Sequence, residues 1–257
     1  MAPASTIEDL SDRYANFMIN PATAGPGVCS SCRTFCNDSF SMCYPCGHEL
    51  PRNLDVMVPI TYSVDLGQMH TALRGYKDGW AGNQSDRLKN TFTSELAAVL
   101  WRFLRLHEDC VATAAGVAGF DVVTNVPSST DERDAAQWRL RWMLETGCRQ
   151  TADRFERLLK PTPIAAQGKA YDPGRYAPTM PLTGKNVLLV DDTWTQGRSA
   201  QSAAYALKQA GADSVALVVL GRHIDPGWEP EYGTGVTCAD LLKDAPGWSW
   251  DVCGAEA

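Results

Sequence analysis

Two adjacent aspartates, Asp191 and Asp192, follow a short apolar run and precede a segment of hydroxyl side chains and glycine. The apolar residues 187–190 predict a buried strand, and open parallel sheets bind their ligands at the carboxyl edge. A helix is predicted to begin directly afterwards, where its first N–H groups and its dipole attract phosphate. The candidate contacts between strand and helix are Thr193, Thr195, Gln196, Gly197, Arg198 and Ser199.

This segment predicts a cradle for one phosphate beside two carboxylates. Gly197 allows the backbone to approach a ligand closely, and the hydroxyls of Thr195 and Ser199 add hydrogen-bond donors. The carboxylates suit the vicinal hydroxyls of a sugar or a metal-bound water. The alternative is an ordinary turn between a strand and a helix, in which a Thr or Ser side chain caps the helix and no ligand binds. The whole thirteen-residue pattern over 187–199 favours the ligand site.

A second set of chemically capable residues lies near the start of the chain. Two Cys-x2-Cys pairs are separated by ten residues and comprise Cys29, Cys32, Cys43 and Cys46. Four thiolates at this spacing predict a closed, structural Zn²⁺ site with a role in folding or partner recognition. Cys36 and His48 are spare ligand candidates. The alternatives are an iron–sulfur cluster, which nothing else in the sequence favours, and small buried cysteines.

Composition and charge limit how a ligand can be held. The chain has 257 residues, of which 44% are hydrophobic and 21% charged, which fits one sizeable domain with an appendage. Its formal net charge of −7 repels bulk nucleic acid. An anionic ligand must therefore be held by local backbone amides and a few placed cations. Nucleic acid is expected as a partner only through the cysteine segment.

Targeting signals are not evident in the sequence. Residues 1–18 are acidic and lack a basic segment followed by an apolar core, and no apolar run approaches the roughly 18 residues that span a bilayer. Nine cysteines, an odd number, argue against a disulfide framework. We therefore expect a cytoplasmic protein without membrane partners.

The elements that position these residues follow from periodicity. Strands are predicted at 53–65, 120–129, 187–192 and 214–221, and helices at 88–108, 135–159 and 198–210, with a short acidic helix before residue 28. Strand, helix and strand over 187–221 form a βαβ unit, which predicts an α/β fold with a doubly wound parallel sheet.

The segments between these elements carry several candidate cations. Residues 69–80 are predicted to be turn-rich and hold Arg74 and Lys77, while 160–186 contain five prolines and are predicted to be one long, functional loop. Lys169 and Arg175 lie in that loop. All four cations are interpreted more simply as solvated charges. In the predicted helix 135–159, Trp138 should face inward and the arginines outward.

The segment 187–199 resembles the phosphoribosyl pyrophosphate (PRPP) signature of type I phosphoribosyltransferases. That signature runs from an apolar strand through Asp-Asp, two variable residues, Thr-Thr-Gly, one residue and Thr. Asp191 and Asp192 match the acidic pair, and Thr195, Gly197 and Ser199 match the loop. Gln196 departs from it, standing where the second Thr is usual. The resemblance implies that the acids hold the ribose hydroxyls as catalytic residues and that the loop wraps the 5′-phosphate.

The order of motifs from Cys29 to Arg222 is similar to that of the ComF-type phosphoribosyltransferases, in which a Cys-rich knuckle comes first. This resemblance implies that Ser128 and Ser129 contact pyrophosphate, although a plain Pro-Ser-Ser turn is an equal alternative. Arg133 is the candidate cation beside them, with acids at 131, 132 and 134 opposing it. Lys77 is the candidate on the preceding turn.

Together, these resemblances imply a type I phosphoribosyltransferase fold at 51–225, after an extension at 1–28 and a zinc knuckle at 29–50, with a tail at 226–257 packing on the domain. The implied activity is transfer of the phosphoribosyl group of PRPP, with Mg²⁺, to or from a nitrogenous acceptor. A nucleoside monophosphate is the other candidate ligand, and a homodimer is a further expectation. The alternative function is a non-catalytic phosphoribosyl or nucleotide sensor, or a DNA-uptake-associated interaction protein, that uses the knuckle for a partner.

Overall fold

The central element of the protein is a four-stranded parallel sheet. A computed structural model describes residues 6–77, 85–136, 138–166, 168, 170–243, 245 and 247–255. In chain order its strands are β1 (Val56–Val64), β2 (Val122–Asn125), β3 (Leu159–Pro161), β4 (Tyr176–Pro178), β5 (Asn186–Trp194) and β6 (Ser214–Ile224). The sheet has the order β1-β6-β5-β2, and β3 and β4 form a separate antiparallel hairpin. The predicted α/β class, parallel sheet and four strand positions are confirmed.

Helices cover both faces of this sheet. They are α1 (Ile7–Ala15), α2 (Gln68–Gly75), α3 (Asp86–Ala114), α4 (Asp131–Ala136), α5 (Trp138–Trp142), α6 (Arg149–Ala152), α7 (Arg198–Gln209) and α8 (Cys238–Lys243). Within the described segments, no helix is both long and apolar enough to cross a membrane.

The two faces of β5 bury their side chains in different cores. Leu188 and Val190 pack in the cluster that contains α2 and α3, whereas Val187 and Leu189 pack in the cluster that contains α7. Successive strand residues point to opposite faces, so a strand covered on both faces reads as a mostly apolar run. The same alternation continues to the end of β5, where the two aspartates lie.

Helix α7 follows β5 closely, as predicted. Its buried residues are mostly small, Ala200, Ala203 and Ala204 among them, which lets the helix lie close to the sheet. Gly211, at φ +101°, follows the helix end in the left-handed region that glycine adopts without a steric cost.

The structure confirms one further predicted helix and replaces a predicted turn-rich stretch with another helix. The predicted helix at 88–108 is confirmed as part of the longer α3, whose first turn is capped by the Ser85 hydroxyl accepting from the Leu88 N–H. The turn-rich prediction for 69–80 is wrong over α2. Met69, Ala72 and Leu73 recur there at helical spacing and are buried on one face.

The single helix predicted at 135–159 is wrong. The chain forms the short helices α4, α5 and α6, with a π-helical turn at Met143–Gly147 before the extended Cys148. Trp138 is 43% exposed and Arg139 only 4% exposed, so the predicted inward and outward sides are reversed at these positions. Residues after α6 then run beside β2, where Glu156 N–H donates to Val123 O at 2.9 Å.

The long loop predicted at 160–186 is partly wrong, because it contains most of the β3–β4 hairpin and a 3₁₀ turn at Pro163–Ala166. The hairpin lies against α7. This contact places Arg175, the residue before β4, beside the start of α7. Lys169 lies outside the described residues.

Candidate functional site

The carboxyl ends of β2 and β5 and the start of α7 surround a cavity of about 630 Å³. Nine of the residues expected from sequence line it: Lys77, Ser128, Ser129, Arg133, Asp191, Thr195, Gln196, Arg198 and Ser199. Asp192, Thr193 and Gly197 are not in the cavity wall. The structure therefore gathers most of the candidate residues from three separate segments at the predicted sheet edge.

Asp192 lies on the opposite face of β5 from Asp191. Its buried carboxylate accepts hydrogen bonds from the Tyr76 hydroxyl and, at 2.6 Å, from Nζ of Lys77. Burial, followed by the Asp192 charge, raises the pKa of Tyr76 well above its ordinary value. The structure thus does not turn both acids toward one ligand, and Lys77 is an ion-pair partner rather than a solvated charge.

Asp191 is the carboxylate that faces the cavity. Its Oδ1 accepts from the Asp192 N–H at 2.8 Å. Burial, and then the negative charge of Asp192, raise the pKa of Asp191 to about 8, against the opposing effects of Lys77 and the Asp192 N–H. A cation bound in the cavity would therefore stabilise the ionised form of Asp191.

The first turn of α7 offers unused backbone donors. Gly197 is the N-cap residue and provides no side-chain cap. Among the described residues, the N–H groups of Arg198, Ser199 and Ala200 have no hydrogen-bond acceptor. Arg198 and Ser199 line the cavity, so the positive end of the helix dipole borders it.

Gly197 is required here by the chain's own packing. Its φ is +77°, and a Cβ at this position would lie 2.0 Å from Cζ2 of Trp194. Trp194 is fully buried at the end of β5. The Trp194 indole thus supports the turn that presents the α7 amides.

Arg175 is a buried cation that sequence reasoning wrongly treated as solvated. Its side chain is 5% exposed, and Nη1 donates to the Gly168 carbonyl at 2.7 Å. No carboxylate within the described ranges lies in ion-pair distance of it. Its Nε donates to the Tyr176 hydroxyl, which donates to Pro127 O at 3.0 Å. A cation in the cavity wall without a partner carboxylate favours an anionic occupant.

One of the acids expected to oppose Arg133 has cationic partners of its own. Asp134 is buried, accepts from the Ser128 N–H at 3.1 Å, and forms ion pairs with Arg141 and Arg157. Its charge is therefore balanced on the side away from the cavity. Arg133 itself donates to the Ser129 hydroxyl at 3.3 Å.

The four cysteines of the two Cys-x2-Cys pairs meet in one buried group. Their sulfur atoms all lie within 4.8 Å of one another, and Sγ of Cys32 is 3.7 Å from Sγ of Cys43. Four thiolates about 2.3 Å from a tetrahedral Zn²⁺ are about 3.8 Å apart. The group can therefore hold a metal ion such as zinc.

The two spare ligand candidates lie outside this group. Burial, and then the charges of Cys29 and Cys32, raise the pKa of Cys36 to about 11, and its thiol contacts the Phe40 carbonyl. His48 is exposed and stacks against Tyr44.

Two arginines connect the cysteine group with the cavity. Arg222 is buried and donates to the carbonyl of Cys32 and to the carbonyls of Trp194 and Thr195. Arg198, at the start of α7, pairs with Glu49 at 2.6 Å, in the turn that carries Cys46. The segment that carries the cysteine group thus packs directly on the loop that borders the cavity.

Comparison with known proteins adds no family assignment. No protein-family model matches the chain, and a search of curated proteins returns no match. The site is therefore interpreted from its own geometry.

Proposed function

We propose that the chain is a ComF-type phosphoribosyltransferase with the type I fold, and that it binds PRPP with Mg²⁺ in the cavity at the ends of β2 and β5. One observation carries the proposal. Three groups border one cavity of about 630 Å³: the α7 N-terminal amides, the Asp191 carboxylate and the Arg175 guanidinium, where neither the amides nor the guanidinium has an acceptor or carboxylate partner, respectively, among the described residues. That volume is in the range of small-molecule sites, roughly 300–1,000 Å³.

The arrangement suits a phosphorylated ribose in one orientation. The 5′-phosphate would occupy the turn from Thr195 to Ser199, because a helix N-terminus stabilises a compact dianion. The pyrophosphate would lie toward Arg133 and Arg175, whose donors match phosphate oxygens. Asp191 would accept from a ribose hydroxyl between them.

Asp191 also supports a divalent cation. Burial, and then the Asp192 charge, raise the pKa of this partly buried carboxylate, so a cation beside it would stabilise its ionised form. Mg²⁺ prefers one or two carboxylates together with substrate phosphates and water, and when bound it would neutralise phosphate charge. Asp191 is the residue that would hold it.

The proposed reaction displaces pyrophosphate from ribose C1 by a nitrogen nucleophile. Such a reaction requires positioning and charge stabilisation more than a covalent nucleophile. The turn at 195–199 fixes the 5′-phosphate end, Asp191 fixes the ring, and Arg175 on the β3–β4 hairpin stabilises the departing charge. The acceptor is a base or amine.

A second candidate function is a sensor that binds the same ligand without turnover. It is favoured by the engagement of Asp192 with Tyr76 and Lys77, which leaves one acid of the pair facing the cavity. In that case the cysteine group, which packs on the ligand turn, would present a surface to a partner.

Thermal unfolding with Mg²⁺ and PRPP tests the proposal. We expect the ligands to raise the unfolding temperature of the wild-type chain. Arg175→Gln should lower the apparent affinity at least tenfold. Arg87→Gln, which replaces an exposed arginine on α3, should leave the affinity unchanged. Pyrophosphate release with a panel of bases and amines identifies the enzyme, whereas stabilisation without release for every acceptor identifies the sensor. Wild-type protein that shows no stabilisation would refute both.

A further inference from the structure

A second group of metal-ligating side chains lies away from the cavity, between α3 and the C-terminal segment. His107 and Cys110 are one helical turn apart on α3, and Cys253 reaches them from the tail. One ligand atom from each lies within 4.8 Å of the other two. His107 and Cys253 are buried and Cys110 is partly exposed.

The hydrogen bonding of His107 fixes which ring nitrogen is available. Its Nε2 lies 2.7 Å from the carbonyl oxygen of Trp250. A carbonyl only accepts hydrogen bonds, so Nε2 carries the proton and neutral His107 has its lone pair on Nδ1. Nδ1 lies 3.9 Å from Sγ of Cys110. Histidines that bind metals typically donate their other N–H to a carbonyl or carboxylate in this way.

The distances suit a thiolate-binding ion. In a tetrahedral Zn²⁺ site a nitrogen and a sulfur ligand are about 3.6 Å apart and two sulfur ligands about 3.8 Å apart. The observed 3.9 Å between Nδ1 and Sγ is close to that value. The other two separations are at most 4.8 Å, so each needs to shorten by no more than about 1.2 Å to reach the tetrahedral values.

We propose that His107, Cys110 and Cys253 form a second metal site, which binds Zn²⁺ or a comparable thiophilic divalent ion. Three protein ligands leave a fourth position, and the partly exposed Cys110 lets water reach it. The bound ion fastens the tail to α3. The site lies apart from the ligand cavity, and its test does not depend on the proposed phosphoribosyl function.

The tail is already held near this site by other contacts. Arg102 of α3 stacks on the Trp250 ring at 4.4 Å, and Arg33 donates to the Gly254 carbonyl at 3.2 Å. These contacts bring Cys253 to α3 before metal binds. Preorganisation of this kind increases affinity because less chain entropy is lost on binding.

Metal content of the full-length protein tests the proposal. After purification under reducing conditions and saturation with Zn²⁺, the wild-type chain should retain two ions and Cys253→Ala one. The matched control is Cys238→Ala, which removes another buried thiol of the tail region and should retain two. Equal metal content in the wild-type chain and in Cys253→Ala would overturn the proposal.

A second variant and a spectroscopic measurement separate loss of the site from misfolding of Cys253→Ala. His107→Gln should also retain one ion, with unchanged circular dichroism. Co²⁺ substitution should give two distinguishable sets of ligand-field bands in the wild-type chain, of which His107→Gln and Cys253→Ala lose the same set. A Cys110–Cys253 disulfide in reduced protein, detected as a mass two daltons below that of the dithiol, would also overturn the site.

Discussion

The guanidinium of Arg222 lies against Cys32, with Nη2 3.6 Å from Sγ and Nε donating to the Cys32 carbonyl at 3.1 Å. Its Nη1 donates to the carbonyls of Trp194 and Thr195, at 3.2 and 3.1 Å. One buried cation therefore joins the proposed zinc ligands to the turn that borders the cavity. A Zn²⁺ ion with four thiolates carries a net charge of −2, which further favours a cation at this place.

Replacing this cation should disturb both regions together. We expect Arg222→Met to lower the free energy of unfolding by more than about 3 kcal/mol, because hydrogen bonds to a charged group contribute about 1.5–3 kcal/mol each. Apparent affinity for PRPP should also fall. Arg87→Met, on an exposed face of α3, is the control for loss of an arginine. Urea denaturation at equal metal content measures the effect, and equal stability of the two variants would contradict the linking role.

Gly197 should tolerate no side chain. Gly197→Ala combines a left-handed residue, which costs about 1–2 kcal/mol, with a Cβ 2.0 Å from the Trp194 ring. Gly116→Ala is the matched control, because its φ of +75° is similar and no heavy atom lies within 4 Å of the added Cβ. We expect Gly197→Ala to lose at least about 1 kcal/mol more than the control, the lower end of overpacking costs.

A third variant separates the clash from the backbone strain. Adding Trp194→Leu to Gly197→Ala should restore part of the difference, since a smaller side chain frees space for the new Cβ. Equal losses for Gly197→Ala and Gly116→Ala in urea denaturation would show that the indole does not confine the turn.

Stability should depend on pH through Asp191. Its folded pKa of about 8 lies above the unfolded value of 3.8, so the folded state binds the additional proton between these values. The contribution of Asp191 is therefore fully present below about pH 4 and is lost as pH rises through about 8. The slope can reach about 1.4 kcal/mol per pH unit.

The variant Asp191→Asn isolates this effect. The free energy of unfolding of the variant, relative to wild type, should increase from pH 5 to pH 8 in the absence of ligand. Asp213→Asn, an exposed acid before β6, should run parallel to wild type. Parallel curves for Asp191→Asn and wild type would mean that Asp191 is ionised in the free protein.

Metal binding by the cysteine group should depend on four particular sulfurs. Cys43→Ser should lower bound zinc by one ion per chain and lower thermal stability, because a structural zinc site contributes directly to folding. Cys36→Ser removes a buried thiol of the same segment that is not in the group and should keep the full content. Elemental analysis decides between them, and equal zinc in both variants would refute the ligand set.

The sheet and α7 could be predicted from sequence. Fully apolar runs indicate buried strands, and small residues at helical spacing indicate a helix face packed closely on the sheet. The opposite faces of Asp191 and Asp192 were also predictable, since side chains alternate along any strand. Continuing that alternation beyond Val190 places Asp191 and Asp192 on opposite faces of β5. Helix α2 was missed because its eight residues include Gly75 and polar side chains that resemble a turn.

Other features depend on contacts that sequence cannot show. Arg175 is buried where the β3–β4 hairpin packs on α7, and no local sequence pattern distinguishes it from a solvated arginine. Cys253 lies more than 140 residues from His107 along the chain, so only the folded tail brings them together. Trp194 occupies a variable position of the signature, and its role beneath Gly197 follows from packing alone.

A crystal structure with ribose 5-phosphate bound tests the central claim most directly. We predict that the phosphate lies at the start of α7, with its oxygens about 2.7–3.2 Å from the N–H nitrogens of Arg198 and Ser199, and that the ribose hydroxyls face Asp191. A phosphate bound elsewhere, or α7 amides that donate to the chain's own acceptors in the presence of saturating ligand, would contradict the account.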